Sequence, residues 1–255
     1  MRIRILGCSG GIGAGARTSA MLIDDDVLLD AGTGIGDLSL DELHPIRHVF
    51  LTHAHLDHIA GLPMLIDSIF EEDFDMPLTV YGREETLGAI RTHLFNGVIW
   101  PDFAKLPSEQ RPMLQYAVCN PGQTTSIGNR DFHAVDVLHS VPSLGYTVNN
   151  CGGVFAVSGD TKTNSTLWPV LNACDNLKVL VIEVSFPNEL QSLANRAGHY
   201  CPITMCRDLQ LLKHKPDIWL TGMKPGEEER ILAQVIEAAP GENIRMLSRG
   251  TVITI

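Results

Sequence analysis

The stretch Ile46-Arg47-His48-Val49-Phe50-Leu51-Thr52-His53-Ala54-His55-Leu56-Asp57-His58 decides the reading of this 255-residue chain. Its first seven residues follow a buried-strand pattern that runs straight into a histidine cluster. Side chains two apart at a strand end project to the same side, so His53 and His55 can converge on one ion. A turn then brings Asp57 and His58 to a neighbouring position. Nitrogen and oxygen donors packed this closely suit a borderline divalent cation, zinc first, with manganese and iron as alternatives. The competing account, a histidine-rich loop without metal, suits a lone histidine better than this spacing.

Working outward, residues 2–6 alternate as a strand. Met21-Leu22-Ile23 and Val27-Leu28-Leu29 flank the acidic turn Asp24-Asp25-Asp26, which predicts a hairpin. Between them runs Gly7-Cys8-Ser9-Gly10-Gly11-Ile12-Gly13-Ala14-Gly15. A dinucleotide fingerprint needs a helix directly after its glycines, and a strand hairpin follows here instead, so this stretch reads as a flexible loop at a sheet edge. Beyond the histidines, a helix is expected from Gly61, a strand over 78–82 and a helix over 83–93. Residues 94–121 read as irregular and hold Phe95, Trp100 and Phe103; a connection that long usually covers a site or an interface. Strands are expected over 132–139, 153–158 and 178–184, the last apolar enough to be covered on both faces. Helices are expected over 166–173, 202–213 and 226–238, with 218–221 and 244–255 closing the sheet system. Strands early in the chain, with helices in each half, predict an α/β fold of two sheets packed face to face with helices outside. Without a repeat, low-complexity tract or linker, residues 1–255 read as one domain. Glu71-Glu72-Asp73-Phe74-Asp75 reads as a solvated surface turn.

With 44% hydrophobic and 19% charged residues the chain can bury a full core. A formal net charge of −11 repels a polyanion, which disfavours long nucleic acids as partners but leaves a small phosphate ester held by metal. The opening residues do not form a secretion signal, and no apolar run approaches the roughly 18–20 residues of a membrane span. A soluble, cytoplasmic protein without a membrane partner is expected. Six cysteines without a CxxC pair are expected to be free thiols, mostly buried. His199, Cys201 and Cys206 lack the second ligand pair that a zinc finger requires.

The HxHxDH pattern after an apolar strand resembles the metallo-β-lactamase superfamily, and the resemblance extends over nearly the whole chain. It implies an αββα sandwich of two mixed sheets with helices on the outer faces. His139-Ser140 resembles the third metal motif of that family, and Ser158-Gly159-Asp160-Thr161 the fourth, whose aspartate bridges two ions. Asp30-Ala31-Gly32-Thr33-Gly34 resembles the first, in which Asp30 supports a ligand rather than binding metal; a plain turn aspartate accounts for Asp30 equally well. The resemblance implies two divalent ions, with His53, His55 and His139 on one, Asp57 and His58 on the other, and Asp160 between them.

Three further stretches, Phe95-Asn96-Gly97-Val98-Ile99-Trp100-Pro101, Ile182-Glu183-Val184-Ser185-Phe186-Pro187-Asn188 and Gly198-His199-Tyr200, resemble the class II cyclic-nucleotide phosphodiesterases. That group hydrolyses the 3′,5′-phosphodiester of cyclic AMP or cyclic GMP. Two ions about 3.5–4 Å apart lower the pKa of a shared water, hold the phosphate and stabilise the leaving oxygen, so no side-chain nucleophile is needed. In this scheme Asp57 and Asp160 belong to the catalytic centre, and His199 contacts the phosphate or protonates the leaving 3′ oxygen. A structural histidine at a helix start is the alternative for His199. Trp100 and Phe95 offer purine-stacking surfaces, with packing in a core or a dimer interface as the competing account, favoured for Phe95. Glu183 either orients neighbours in the site or caps a strand end. The resemblance also implies a homodimer, and residues 94–103 are the contact expected for it here.

One position departs from the family. A histidine is expected before the Met-Lys-Pro turn, and this chain reads Leu220-Thr221-Gly222-Met223-Lys224-Pro225. Without a side-chain ligand at Gly222 the second ion keeps only Asp57, His58 and Asp160, which implies a weakened second site and an impaired hydrolase. Two other readings stand beside this one. A transfer-RNA 3′-end nuclease shares the metal motifs, but it should carry a basic arm, and no such cluster of lysine and arginine is present. A cyclic-nucleotide sensor without turnover would bind its ligand without consuming it. A β-lactamase or thioester hydrolase fits Asp57 and Gly198-His199 less well.

Overall fold

Strand alternation sorts the buried side chains of the computed structural model, which describes residues 1–71 and 76–255, into three layers. Ile3, Ile5, Met21, Phe50, Phe132, Tyr146, Phe155 and Val181 fill one layer. Leu22, Leu28 and Val49 project the opposite way and meet Leu62, Ile66, Leu87 and Ile90 from helices. Ala156, Leu180 and Ile182 do the same on the far side, against Trp168, Leu171, Met205, Ile231 and Val235. Because neighbouring residues of one strand, such as Met21 and Leu22 or Val181 and Ile182, fall in different layers, both faces of each sheet are covered. The order is therefore helix, sheet, sheet, helix, as the sequence implied.

Among the described residues each large sheet has seven strands. The first runs Val252–Thr254, Arg2–Gly7, Ala20–Ile23, Val27–Ala31, His48–Phe50, Leu78–Gly82 and Leu114–Val118. The second runs Ile244–Met246, Asp217–Thr221, Leu177–Glu183, Gly153–Val157, Pro142–Asn150, Arg130–Leu138 and Thr124–Ile127. Both sheets are mixed. Val27–Ala31, His48–Phe50, Leu78–Gly82 and Leu114–Val118 are parallel to one another, as are Gly153–Val157, Leu177–Glu183, Asp217–Thr221 and Ile244–Met246.

Several expectations need correction. The stretch 94–121 is not wholly irregular: Leu114–Val118 forms an edge strand whose half-exposed residues lack an apolar run to announce it. Pro142–Asn150 was not anticipated, because it opens on proline and carries Gly145. A Cβ at Gly145 would stand 2.8 Å from the Val157 and Ser158 carbonyl oxygens, so the close approach of the neighbouring strand requires that glycine. The segment 244–255 divides, its first half joining one sheet and its second half the other. The helix expected over 202–213 ends at Leu209. The glycine-rich stretch does not lie at a sheet edge, since Arg2–Gly7 is flanked on both sides by strands. All six cysteines are free; Cys119, Cys201 and Cys206 are buried and Cys151 is exposed. Of the acidic turn expected over 71–75, residues 72–75 lie outside the described residues. Among the described residues no helix is long and apolar enough to cross a membrane.

Candidate metal centre

The parallel strands of each sheet end at a common rim, and the chemistry-bearing residues follow those ends. His53 and His55 come after His48–Phe50, and His139 after Arg130–Leu138. Asp160 follows Gly153–Val157 across Gly159, whose φ of +59° suits glycine. His55 is also the N-cap of the short helix Leu56–Ile59, which puts Asp57 in its first turn and His58 one residue later. His199 lies between the helices Gln191–Ala197 and Pro202–Leu209, after the left-handed Gly198. It is therefore not the first residue of a helix.

Three imidazoles converge. His55 Nδ1 stands 3.0 Å from His53 Nε2 and 3.1 Å from His139 Nε2. Nitrogens bound to one tetrahedral zinc at about 2.0 Å stand roughly 3.3 Å apart, so this spacing fits such an ion. The back of each outer ring is held. His139 Nδ1–H donates to the Gly198 carbonyl at 2.8 Å, which leaves its Nε2 lone pair facing the cluster. His53 Nδ1 lies 3.0 Å from Thr52 Oγ1. Burial drives the His139 imidazolium down to about 4 and that of His53 well below its ordinary value, so both offer neutral nitrogen at neutral pH.

The second group adjoins the first. His58 Nε2 stands 3.5 Å from Asp160 Oδ2 and 4.0 Å from Asp57 Oδ2, and Asp160 Oδ2 is also 3.9 Å from His53 Nε2. The Asp160 carboxylate thus lies between the two histidine groups. On its other side, His58 Nδ1 meets Asp30 Oδ2 at 2.6 Å. Asp30 is no plain turn aspartate: its carboxylate is buried and also accepts the Thr52 backbone N–H at 2.9 Å, the Thr52 hydroxyl at 3.0 Å and the Ser19 hydroxyl at 3.2 Å. Burial would lower the His58 imidazolium, but the Asp30 and Asp160 carboxylates raise it well above its ordinary value. Burial likewise would raise the Asp160 carboxyl, yet His58, His53 and His199 hold it well below the usual range. A site this rich in paired carboxylates and imidazoles is chemically suited to divalent cations.

His199 forms the far wall. Its Nδ1 lies 3.1 Å from Glu183 Oε1 and 3.1 Å from the Ser185 hydroxyl, and 3.8 Å from Asp160 Oδ2. Glu183 is fully buried at its strand end, and its Oε1 also accepts the backbone N–H groups of Thr161 and Tyr200, each at 3.1 Å. It orients the site rather than merely capping a strand. Burial opposes charge on His199, but Glu183 and Asp160 overcome it and raise its pKa.

Asp57, His58, Asp160, His199, Gly222 and Lys224 border one cavity. Gly222 thus lines the same cavity as Asp57, His58 and Asp160, with a φ of +75°. A Cβ there would stand 3.5 Å from Glu183 Cβ and 3.6 Å from Ser185 Oγ, ordinary contact distances, so a Cβ fits although the positive φ strains it. Trp100 does not border this cavity; it packs against the helix-covered core of the first sheet, where Phe95 is buried. Cys201 caps the helix Pro202–Leu209 with Thr204 and joins no candidate ligand cluster among the described residues. Thr52, Ser185 and Lys224 escaped the sequence reading. Thr52 precedes the first histidine, which is the one signal that marked it; Ser185 and Lys224 carried none beyond lying inside family-like stretches.

The profile of the beta-lactamase superfamily domain matches residues 26–219. The chain is 27% identical over 252 residues to a Yersinia pestis protein named probable 3′,5′-cyclic-nucleotide phosphodiesterase, covering 82% of this chain and 71% of that one. It is 27% identical over 251 residues to the 3′,5′-cyclic-nucleotide phosphodiesterase of Aliivibrio fischeri, covering 82% and 74%. A ribonuclease Z of Methanococcus maripaludis is 33% identical over 103 residues, 40% of this chain and 31% of that one. Unliganded yeast PDE1 superposes with a TM-score of 0.81 at 20% identity, covering 100% of this chain and 99% of that one, a likeness of fold. With the profile spanning most of its length and the same fold in its structural neighbours, the chain belongs to the beta-lactamase superfamily.

Proposed function

We propose that the chain is a metal-dependent phosphodiesterase that opens the 3′,5′-phosphodiester of cyclic AMP or cyclic GMP to the 5′-monophosphate. The observation that carries this reading is the convergence of His53, His55 and His139 beside His58, Asp57 and Asp160, with His199 facing the same centre. The long alignments to relatives named cyclic-nucleotide phosphodiesterases support the substrate class. The ribonuclease Z alignment covers under half of this chain, and among the described residues lysine and arginine contribute only Lys224 to the cavity lining, which favours a small substrate over a nucleic acid.

His53, His55 and His139 would hold one divalent ion and Asp57 with His58 the other, Asp160 lying between, with zinc the best match to these donors. Divalent ions bound there supply charge that neutralises the phosphate and lowers the pKa of a water. The chain's own residues do the rest. Thr52, Asp30 and Gly198 fix the ring orientations. With Nδ1 held against Glu183, Nε2 is the His199 atom left to give the leaving 3′ oxygen a proton as a water oxygen bonds to phosphorus and the bond from phosphorus to the 3′ oxygen breaks. Burial of His53, His139 and His199 excludes bulk water from that side.

Gly222 leaves the second ion with Asp57, His58 and Asp160, so turnover in this chain is slow. The test compares the chain with Gly222→His on cyclic AMP, in zinc and in manganese, with AMP followed by chromatography. A histidine at φ +75° costs about 1–2 kcal/mol of backbone strain, which the space beside Glu183 and Ser185 leaves as the main penalty. Faster turnover by the variant is expected. If neither form hydrolyses cyclic AMP or cyclic GMP with metal bound, the assignment is wrong; stoichiometric binding without turnover by both would make the chain a sensor.

A further inference from the structure

We propose that Lys224, seated by the glycine-rich stretch after the first strand, is an anion anchor for the phosphate in the cavity that His58 and His199 also border. The inference deepens the phosphodiesterase reading and rests on it for the identity of the substrate. Among the described residues Lys224 is the one lysine or arginine on the cavity lining, whose other ionisable side chains include Asp30, Asp57, Asp160, His58 and His199. A lysine there can serve an anion only if no carboxylate already holds it. Lys224 has none among the described residues: its Nζ donates to the Gly10 carbonyl at 2.7 Å and lies 5.7 Å from the centre of the Phe186 ring. Those two partners fix the ammonium in place without neutralising it, and donors on the nitrogen remain for an anion.

The loop is built to hold this position. Gly10 N–H donates to the Met223 carbonyl at 2.9 Å, and Gly222 N–H to the Cys8 carbonyl at 2.9 Å. A Cβ at Gly10 would stand 2.2 Å from the Gly222 carbonyl oxygen, so the contact between loop and turn requires glycine. The glycines that resemble a phosphate loop therefore serve to bring a main-chain carbonyl under the lysine. Lys224 N–H in turn donates to the Ser185 carbonyl at 3.1 Å, while the Ser185 hydroxyl touches His199 Nδ1, so anchor and proton donor flank one residue.

The test is equilibrium binding of inorganic phosphate to the zinc-loaded protein, read by calorimetry, for the parent, Lys224→Gln and Lys224→Arg. Glutamine keeps an amide donor but removes the charge and one bond of reach, so Lys224→Arg, which keeps the charge in a different shape, is its control, and thermal unfolding verifies that both variants fold. Loss of a charge-assisted hydrogen bond predicts phosphate binding weakened about tenfold or more in Lys224→Gln, with Lys224→Arg within about threefold of the parent. Phosphate binding by Lys224→Gln at the parent's affinity, or no phosphate binding by the parent, would overturn the inference. Cyclic AMP turnover is scored separately. A parent that binds phosphate through Lys224 yet hydrolyses no cyclic nucleotide refutes the proposed reaction and leaves the anchor standing.

Discussion

Asp30→Asn separates an aspartate that aims a metal ligand from one that merely turns the chain. The substitution preserves shape and suits the φ of +57° at this position, since asparagine tolerates the left-handed region. It removes the charge that His58 Nδ1 meets at 2.6 Å, and it replaces one of two acceptor oxygens with a donor. Oδ1 accepts from Thr52 N–H and the Thr52 hydroxyl, and Oδ2 from His58 and Ser19, so either orientation of the amide turns a donor towards a donor. The lost charge-assisted bond and the mismatched buried donor together predict about 2–4 kcal/mol of lost stability in the metal-free protein. For a chain of this size each kcal/mol lowers the melting temperature by about 2–4 °C. His58, no longer held, should weaken metal binding at its own group by about 10–100-fold, while the His53, His55 and His139 group keeps most of its affinity. Urea unfolding of the metal-free variant measures the first quantity, and zinc competition against a chelator the second. A variant within about 0.5 kcal/mol of the parent, with zinc affinity unchanged at every site, would refute the role given to Asp30.

Two further outcomes follow from the same geometry. The His139 pKa of about 4 in the folded state lies below its ordinary 6.5, so the unfolded chain takes up a proton that the folded one refuses. Metal-free stability should therefore fall as pH drops from about 6.5 to about 4, by up to about 3 kcal/mol from His139 alone, with His53 adding in the same direction. His58 and His199, whose values are raised, contribute stabilisation that is fully present below pH 6.5 and is lost only as pH rises through their folded values, so it stays constant over this window and does not offset the loss. Urea unfolding from pH 7 to pH 4 measures it, and a flat profile over that window would contradict the buried neutral state of His139. Separately, Val98 and Ile99 are 87% and 62% exposed in the segment expected to form a dimer contact. Light scattering on the eluted protein should give a dimer that Val98→Asp with Ile99→Asp splits into monomers; a monomeric parent at tens of micromolar removes that contact.

The parts of the molecule legible in the sequence were those governed by local periodicity and close spacing. Met21 and Leu22 fall on opposite sheet faces as alternation demands, and His53 and His55 on one side as a strand end demands. What stayed hidden depends on partners distant in sequence. Leu114–Val118 becomes a strand only because Leu78–Gly82 offers it an edge. Gly145 interrupts an apolar pattern for the sake of a carbonyl thirteen residues away in the chain at Ser158. Trp100 lies within a stretch that looks diagnostic of substrate contact, yet its ring packs on the core of the first sheet. Lys224 was invisible as a site residue because its partner, Gly10, lies at the other end of the chain and offers only a backbone carbonyl, which no side-chain pattern records.

The two halves of the centre are unequal, and that inequality decides how the chain should behave as metal is added. In the three-histidine half, His53 and His139 are buried and neutral, and each has its far nitrogen fixed by Thr52 or by Gly198. Little ordering remains to oppose binding there. In the other half Asp57 is 38% exposed and stands 4.0 Å from His58, while Gly222 adds no donor. Asp30 and Asp160 raise the His58 pKa well above its ordinary value and so favour its protonated form, a proton that metal binding at this half has to displace. Fewer donors, a freer carboxylate and a proton to displace all act in one direction. The proposed enzyme would fill its three-histidine half first and bind the second ion more weakly, and its activity would track occupancy of the half that Gly222 leaves short.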